Sequence, residues 1–153
     1  MKKFIIFLLL TPNLFNAQTH EEKYREIEKN SSIATDKMAL GDYYGAIIYF
    51  DKCIDIEPES FPGLYYYKAQ CNLKLSNYRE ALTCINNSIR IDPYYGEYHN
   101  FKGYVKFQAG CKGEYSNCCK DFKKAGQLGF KRGSDKYKIM SNNSLMSDLY
   151  GCD

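Results

Sequence analysis

The sequence predicts an all-α protein, an antiparallel helix-pair solenoid. Three observations carry this expectation: one segment recurs in register with a period of 35 residues, apolar positions within each copy follow helical spacing, and short turns join the stretches in pairs. Ala46 aligns with Ala81, Phe50 with Ile85, Cys53 with Ser88 and Pro58 with Pro93, each at the same offset of 35. A third, degraded copy follows, in which Cys118, Phe122 and Ala125 keep the spacing of Ala46, Phe50 and Cys53. There Leu128-Gly129 replaces the Asp-Pro that ends the other copies.

Taken in order, the first element is an export segment. Lys2 and Lys3 precede the apolar run 4–10, then Thr11, Pro12 and Asn13 break it before Ala17, which places a small residue at a cleavage point. Basic, apolar, then polar is the layout of a secretory signal, so residues 1–17 are expected to be removed and the chain to be periplasmic or secreted. An apolar run of 7 residues is too short to span a bilayer.

Residues 18–133 are expected to form three helix pairs. In the first, Tyr24, Ile27, Ser31, Ala34 and Met38 mark one helical face, and Thr19 with Glu22 has the form of a capping box at its start. The partner helix carries Tyr43, Ala46, Phe50, Cys53 and Ile54 and ends before Pro58, which cannot continue a helix. The second pair is expected at 63–74 and 78–91, and the third at 96–109 and 117–128. Turns at Gly41-Asp42 and Ser76-Asn77 are short enough to make each pair antiparallel neighbours. Small residues face one another within each pair: Ala34 and Ala46, Ala69 and Ala81, Gly103 and Cys118. A longer side chain there would hold the backbones apart.

A stack of helix pairs needs a terminal cap with a polar outer face. Residues 134–153 are expected to supply it, with Ser134 as N-cap and Ile139, Met140, Leu145 and Leu149 available to cover Phe122 and Leu128.

These residues, from Leu40-Gly-Asp-Tyr43 with Ala46, Phe50 and Pro58 to Tyr65, Ala69, Ala81 and Pro93 and on to Gly103, Cys118, Phe122 and Ala125, resemble the tetratricopeptide repeat. The resemblance covers about residues 20–130. Departures are Asn30 in place of an aromatic, Cys53 and Ser88 in place of alanine, and three extra residues near Cys111-Lys-Gly113. The family implies a right-handed superhelix whose concave face binds a protein or peptide, with no cofactor and no catalysis of its own. Its leading helices line that face, which places Thr35 and Met38, then Tyr66, Gln70, Leu73 and Lys74, then Asn100, Tyr104, Phe107 and Gln108 in the groove. Family members that clamp a terminal carboxylate need several cations here. Only Lys74 and Asn100 come near, while Glu97 and Phe101 stand where cations are wanted, so an extended segment held by aromatic and amide contacts is the expected ligand.

Composition narrows the function classes. Hydrophobic residues at 44%, with 15 Tyr and 9 Phe, exclude a wholly disordered chain. Without Lys2 and Lys3 the chain holds 19 basic against 18 acidic residues, too balanced for a nucleic-acid binder. The charge is nonetheless uneven: 18–60 sums to −5 (5 basic, 10 acidic) and 102–138 to +7 (10 basic, 3 acidic). Oppositely charged ends point to an alternative role, an assembly subunit of an envelope complex or one that self-associates. Seven cysteines in an exported chain are candidates for pairing. Spacing alone leaves the connectivity open, and the repeat geometry favours Cys119 with Cys152 and Cys111 with Cys118. Cys53 is expected buried and unpaired, and Cys71 and Cys84 to lie on partner helices. The run Cys111, Cys118, Cys119 lacks the paired short spacings of a zinc site, and two histidines, His20 and His99, offer no fixed base for a thiol nucleophile. No metal site and no enzyme activity are therefore expected.

Overall fold

In a computed structural model, which describes residues 11–133 and 135, the periodic stretches become six α-helices. They are α1 (Thr11–Ala39), α2 (Tyr43–Ile56), α3 (Pro62–Lys74), α4 (Tyr78–Ile91), α5 (Gly96–Gln108) and α6 (Cys118–Gln127), with a 3-10 turn at Gly113–Tyr115 before α6. Boundaries from α2 onward fall within about two residues of those read from the sequence, the usual uncertainty of helix ends. The first helix differs. Thr19 lies inside α1 instead of capping it, because nothing between Pro12, which a first turn tolerates, and Gly41 interrupts the helix. Residues 1–10 of the export segment, the capping segment 134–153 apart from Asp135, and Cys152 lie outside the described residues.

Each helix end has a local cause. Gly41, Ser76, Gly110 and Gly129 adopt φ of 81°, 61°, 90° and 83°, the left-handed conformation that ends a helix. The residue after each donates its N–H back five positions: Asp42 to Lys37, Asn77 to Asn72, Cys111 to Lys106 and Phe130 to Ala125, at 2.8–3.0 Å. The same closure therefore ends α1, α3, α5 and α6. α2 and α4 instead stop just before Pro58 and Pro93.

Helices pack pairwise, α1 on α2, α3 on α4 and α5 on α6, and the trailing helix of each pair meets the leading helix of the next. The chain is thus an antiparallel helix-pair solenoid. Phe50, Ile85 and Phe122 are fully buried at equivalent positions, and each contributes about 2 to 3 kcal/mol by leaving water. Ala34, Ala46, Ala69, Ala81 and Cys118 are fully buried at the points of closest helix approach. At Gly103 the approach is tighter still: a Cβ would lie 2.9 Å from Phe122 Cε1 and 3.0 Å from the Cys118 carbonyl oxygen.

The residues that replace alanine bond across their pairs. Cys53 Sγ donates to the Ile27 carbonyl at 3.4 Å, and 35 positions later Ser88 Oγ donates to the Pro62 carbonyl at 2.9 Å. Both donors are fully buried, and the bond satisfies each of them. Asn30, also a departure from the family pattern, is buried at 8% exposure.

Candidate functional site

Pairwise packing sends the odd-numbered helices to one side of the stack, where they form three adjoining recesses. The first, about 450 Å³, lies between α1 and α3. Phe50, Leu64 and Tyr67 make its apolar floor, Phe61 and Pro62 one wall, and Ser31, Ser32, Thr35 and Glu28 the opposite rim. The second, about 360 Å³, lies between α3 and α5 and is lined by Gln70, Leu73, Lys74, Phe101, Tyr104 and Gln108. The third, about 290 Å³, adds Tyr66, Glu97, Asn100, Phe130 and Arg132. Eight of the ten residues expected in a groove line one or another of these recesses: Thr35, Tyr66, Gln70, Leu73, Lys74, Asn100, Tyr104 and Gln108.

Met38 and Phe107 line none of these three recesses. Met38 packs against the cluster around Ala34, Ala46 and Phe50, and Phe107 against Cys111, Cys118 and Phe122. Both are half-buried, and a large apolar side chain gains by packing on such a cluster. Reading leading-helix positions as a single face missed Phe61, Phe130 and Arg132 altogether, because Phe61 precedes α3 in the connection between the first two pairs and Phe130 and Arg132 follow α6. Phe61-Pro62 at a repeat boundary was the signal available for the first recess.

Hydrogen bonds order the polar lining. Tyr66 OH donates to Glu97 Oε1 at 2.8 Å and Tyr95 OH to Glu97 Oε2 at 3.1 Å, so this carboxylate is satisfied by two phenols of neighbouring units. Burial, reinforced by the Glu97 bond, pushes the Tyr66 phenol well above its ordinary range. The Tyr66 ring meets Phe101 edge-on at 5.1 Å and Tyr98 at 5.3 Å, so it also seals the joint between the second and third pairs. Burial raises the Tyr98 phenol to about 12. Gln108 Nε2 donates to Tyr104 OH at 2.6 Å, holding two lining groups one turn apart on α5. Lys74 and Arg132, the cations of this side, line different recesses and do not converge as a carboxylate clamp requires.

The cysteines fall into two groups. Cys111 and Cys118 are brought together with alpha carbons 5.9 Å apart, inside the range a bridge tolerates. Cys53, Cys71 and Cys84 are buried free thiols, and burial pushes the Cys71 thiol up to about 11 and raises those of Cys53 and Cys84, the direction of an unreactive core thiol. The pairing of Cys119 with Cys152 lies outside the described residues. Among the described residues no three His, Cys, Asp or Glu side chains are grouped to hold a metal ion, and no helix is long and apolar enough to cross a membrane.

Residues 37–60 and 62–95 match the tetratricopeptide repeat family. Over these residues the chain carries tetratricopeptide repeats. Its fold is similar to that of the TPR2B domain in the complex of yeast Sti1 with pHsp70, at 18% identity and a TM-score of 0.61, over 84% of this chain and 95% of that one. At this identity the likeness concerns the fold alone. No curated protein matches the sequence. Tetratricopeptide repeats stack so that a leading-helix side and a trailing-helix side face opposite ways, and the three recesses all lie on the former.

Proposed function

We propose that this tetratricopeptide repeat protein is an exported scaffold that holds an extended protein or peptide segment along its leading-helix side, without catalysis of its own. The observation that carries this reading is the run of three adjoining recesses from α1 to α5, apolar at the first and rich in amide and phenol groups at the second and third. An apolar side chain of the partner seats against Phe61 and Tyr67, while Gln70, Asn100 and Gln108 meet its backbone amides. The yeast TPR2B domain in its pHsp70 complex supports a ligand-binding reading for this fold. The basic, apolar, polar order of residues 1–17 supports export, and export in turn supports an oxidised Cys111–Cys118 bridge.

The test is a crosslinking pull-down from the exported fraction, followed by affinity measurements on variants of the lining. Tyr104→Ala combined with Gln70→Ala is expected to weaken binding by about 2 kcal/mol while leaving the helical signal intact. Unchanged affinity of the captured partner overturns the groove assignment. Intact mass of protein from that fraction is expected to start at Gln18, and a retained Met1 contradicts export.

A second reading rests on charge. Lys120, Lys124, Lys131 and Arg132 are exposed near one end of the stack, and the opposite end carries the −5 of residues 18–60. Docking of one copy's basic end on another's acidic end grows without closing and weakens with salt.

A further inference from the structure

The three recesses differ in the sign of what they offer a ligand. On the α1 rim of the first, Ser31 Oγ donates to the Glu28 carbonyl at 2.9 Å and Thr35 Oγ1 to the Ser32 carbonyl at 2.8 Å. A hydroxyl whose hydrogen is committed to its own helix has only lone pairs left to offer. Glu28 is the one charged group lining this recess. It is exposed, and its carboxylate has no ion pair or hydrogen bond among the described residues. Arg25, one turn earlier on the same face of α1, is engaged with Glu21 at 3.5 Å. Facing this acceptor rim are Phe61, Pro62 and the Tyr67 ring, which is 41% exposed and stacked on Phe50 with an interplanar angle of 15°. The other recesses carry cations, Lys74 in the second and Arg132 in the third. The carboxylate of the third, Glu97, is already held by the phenols of Tyr66 and Tyr95.

We propose that the first recess is a specificity pocket for an arginine side chain of the bound partner. This rests on the groove reading above and sharpens it: the apolar group seated against Phe61 and Tyr67 is the methylene stem of a residue whose head is a guanidinium. The stem covers apolar surface while the head keeps its charge at the rim. There the planar head lies on the face of Tyr67, where the ring quadrupole attracts a cation, and turns its N–H groups to Glu28, Ser31 and Thr35. A guanidinium has five donors and no acceptor, the complement of a rim of lone pairs. Lysine supplies the charge without a planar face to stack, and a neutral side chain gains nothing from Glu28. The complementarity extends past the recess, since residues 18–60, which include its α1 rim, sum to −5. Lys74 and Arg132 disfavour an arginine in the other two recesses, so this one residue also fixes the register of the segment along the groove.

A random library of end-blocked peptides, selected on the purified full chain and on its variants, reads this directly. Arginine is expected to be enriched at one peptide position on the wild-type chain. The enrichment is lost on Glu28→Gln and gives way to aspartate or glutamate on Glu28→Arg. Glu28 is exposed on α1, so both variants keep the helical signal of the wild type. In the best selected peptide, citrulline, the neutral isostere, in place of arginine is expected to weaken binding to the wild type at least about tenfold. The same exchange is expected to cost less than about twofold on Glu28→Gln, because the two changes remove one interaction. Asp55→Asn removes an exposed carboxylate of the same acidic segment outside the recess and is expected to leave the enrichment unchanged. Selected peptides with no arginine preference, or with the same preference on Glu28→Gln, overturn the pocket and leave the groove standing. An equal loss on Asp55→Asn also overturns the pocket, in favour of general attraction to residues 18–60. If no peptide is selected on any of these chains, the groove reading falls and the pocket with it.

Discussion

The second and third helix pairs solve the same packing problem with different residues. In the second pair Ala69 faces Ala81, and the buried Ser88 hydroxyl holds the Pro62 carbonyl at 2.9 Å. In the third, glycine replaces Pro62 and Ala69 on the leading helix, as Gly96 and Gly103, and Ala125 stands in place of Ser88 on the trailing one. Gly103 lies against Cys118 and Phe122, and a Cβ on Gly96 would come 2.9 Å from Phe130 Cβ and 3.1 Å from the Ala125 carbonyl oxygen. The second pair closes with the turn at Ser76-Asn77, whereas the third has a turn lengthened by three residues, a 3-10 segment at Gly113–Tyr115 and the Cys111–Cys118 contact. The sequence drift of the third copy is thus compensated: where the serine hydrogen bond is lost, glycine lets the helices approach closely, and where the turn lengthens, Cys111 and Cys118 face each other across it.

The sharpest way to break this comparison is to give the third pair the residue of the second. Gly103→Ala is expected to destabilise by about 2 to 3 kcal/mol, since its Cβ meets a ring carbon and a backbone carbonyl that cannot both retreat. Ala is the natural residue at the equivalent position 69. Thermal or urea unfolding measures it, and a change below about 0.5 kcal/mol, within the range of an ordinary surface substitution, contradicts the claim of closer approach.

Reduction separates the pairs next. A bridge closing so short a loop stabilises by about 2 kcal/mol, so Cys111→Ser with Cys118→Ser in oxidised protein is expected to lose that amount. Hydrogen exchange is expected to quicken in α6 and not in α3 or α4. Equal exchange in the two forms shows that Cys111 and Cys118 are not bridged in the isolated protein.

Ser88→Ala sharpens the comparison from the other side. It removes the donor to the Pro62 carbonyl and is expected to cost about 1 kcal/mol in denaturant unfolding, with the effect confined to the second pair. The smallest expected effect is a gain. Ser76 holds the left-handed position that Gly41, Gly110 and Gly129 occupy elsewhere, at φ 61°. Ser76→Gly is expected to stabilise by about 0.5 to 1 kcal/mol, because glycine adopts that conformation without a Cβ penalty.

The joint between the two pairs has its own pH dependence. Tyr66 and Tyr98 ionise less readily in the fold than in an unfolded chain, since burial raises both phenols, Tyr98 to about 12. The stabilisation this implies is complete below the ordinary tyrosine value near pH 10 and is lost as pH climbs from there toward 12. Tyr66→Phe is expected to flatten the alkaline limb of a stability profile. An unchanged slope contradicts the burial of that hydroxyl.

The fold was legible because its determinants are local and repeat. Pro58 and Pro93, the apolar step at Ala46, Phe50 and Cys53, and glycine at the ends of helices each state their role within a few residues. The site was legible only on the leading helices. Gln70, Lys74, Asn100 and Tyr104 follow from helical spacing, but Phe61 before α3 and Phe130 and Arg132 after α6 reach the recesses along a path that depends on tertiary packing. Met38 and Phe107 carry the same helical spacing but line none of the three recesses, and, half-buried, they pack against the core clusters. The start of α1 was misplaced for a similar reason, since a capping pattern at Thr19 does not end a helix when the preceding residues can extend it.

The measurement that reaches the functional claim most directly is site-specific photocrosslinking in the producing cells. A photoreactive residue at Thr35 or Gln108 reports the leading-helix side, and one at Thr83 reports the outer side of α4. Binding of an extended segment along the recesses predicts one common adduct from Thr35 and Gln108 and none from Thr83. An adduct formed from Thr83 alone contradicts it and moves the binding surface to the trailing helices.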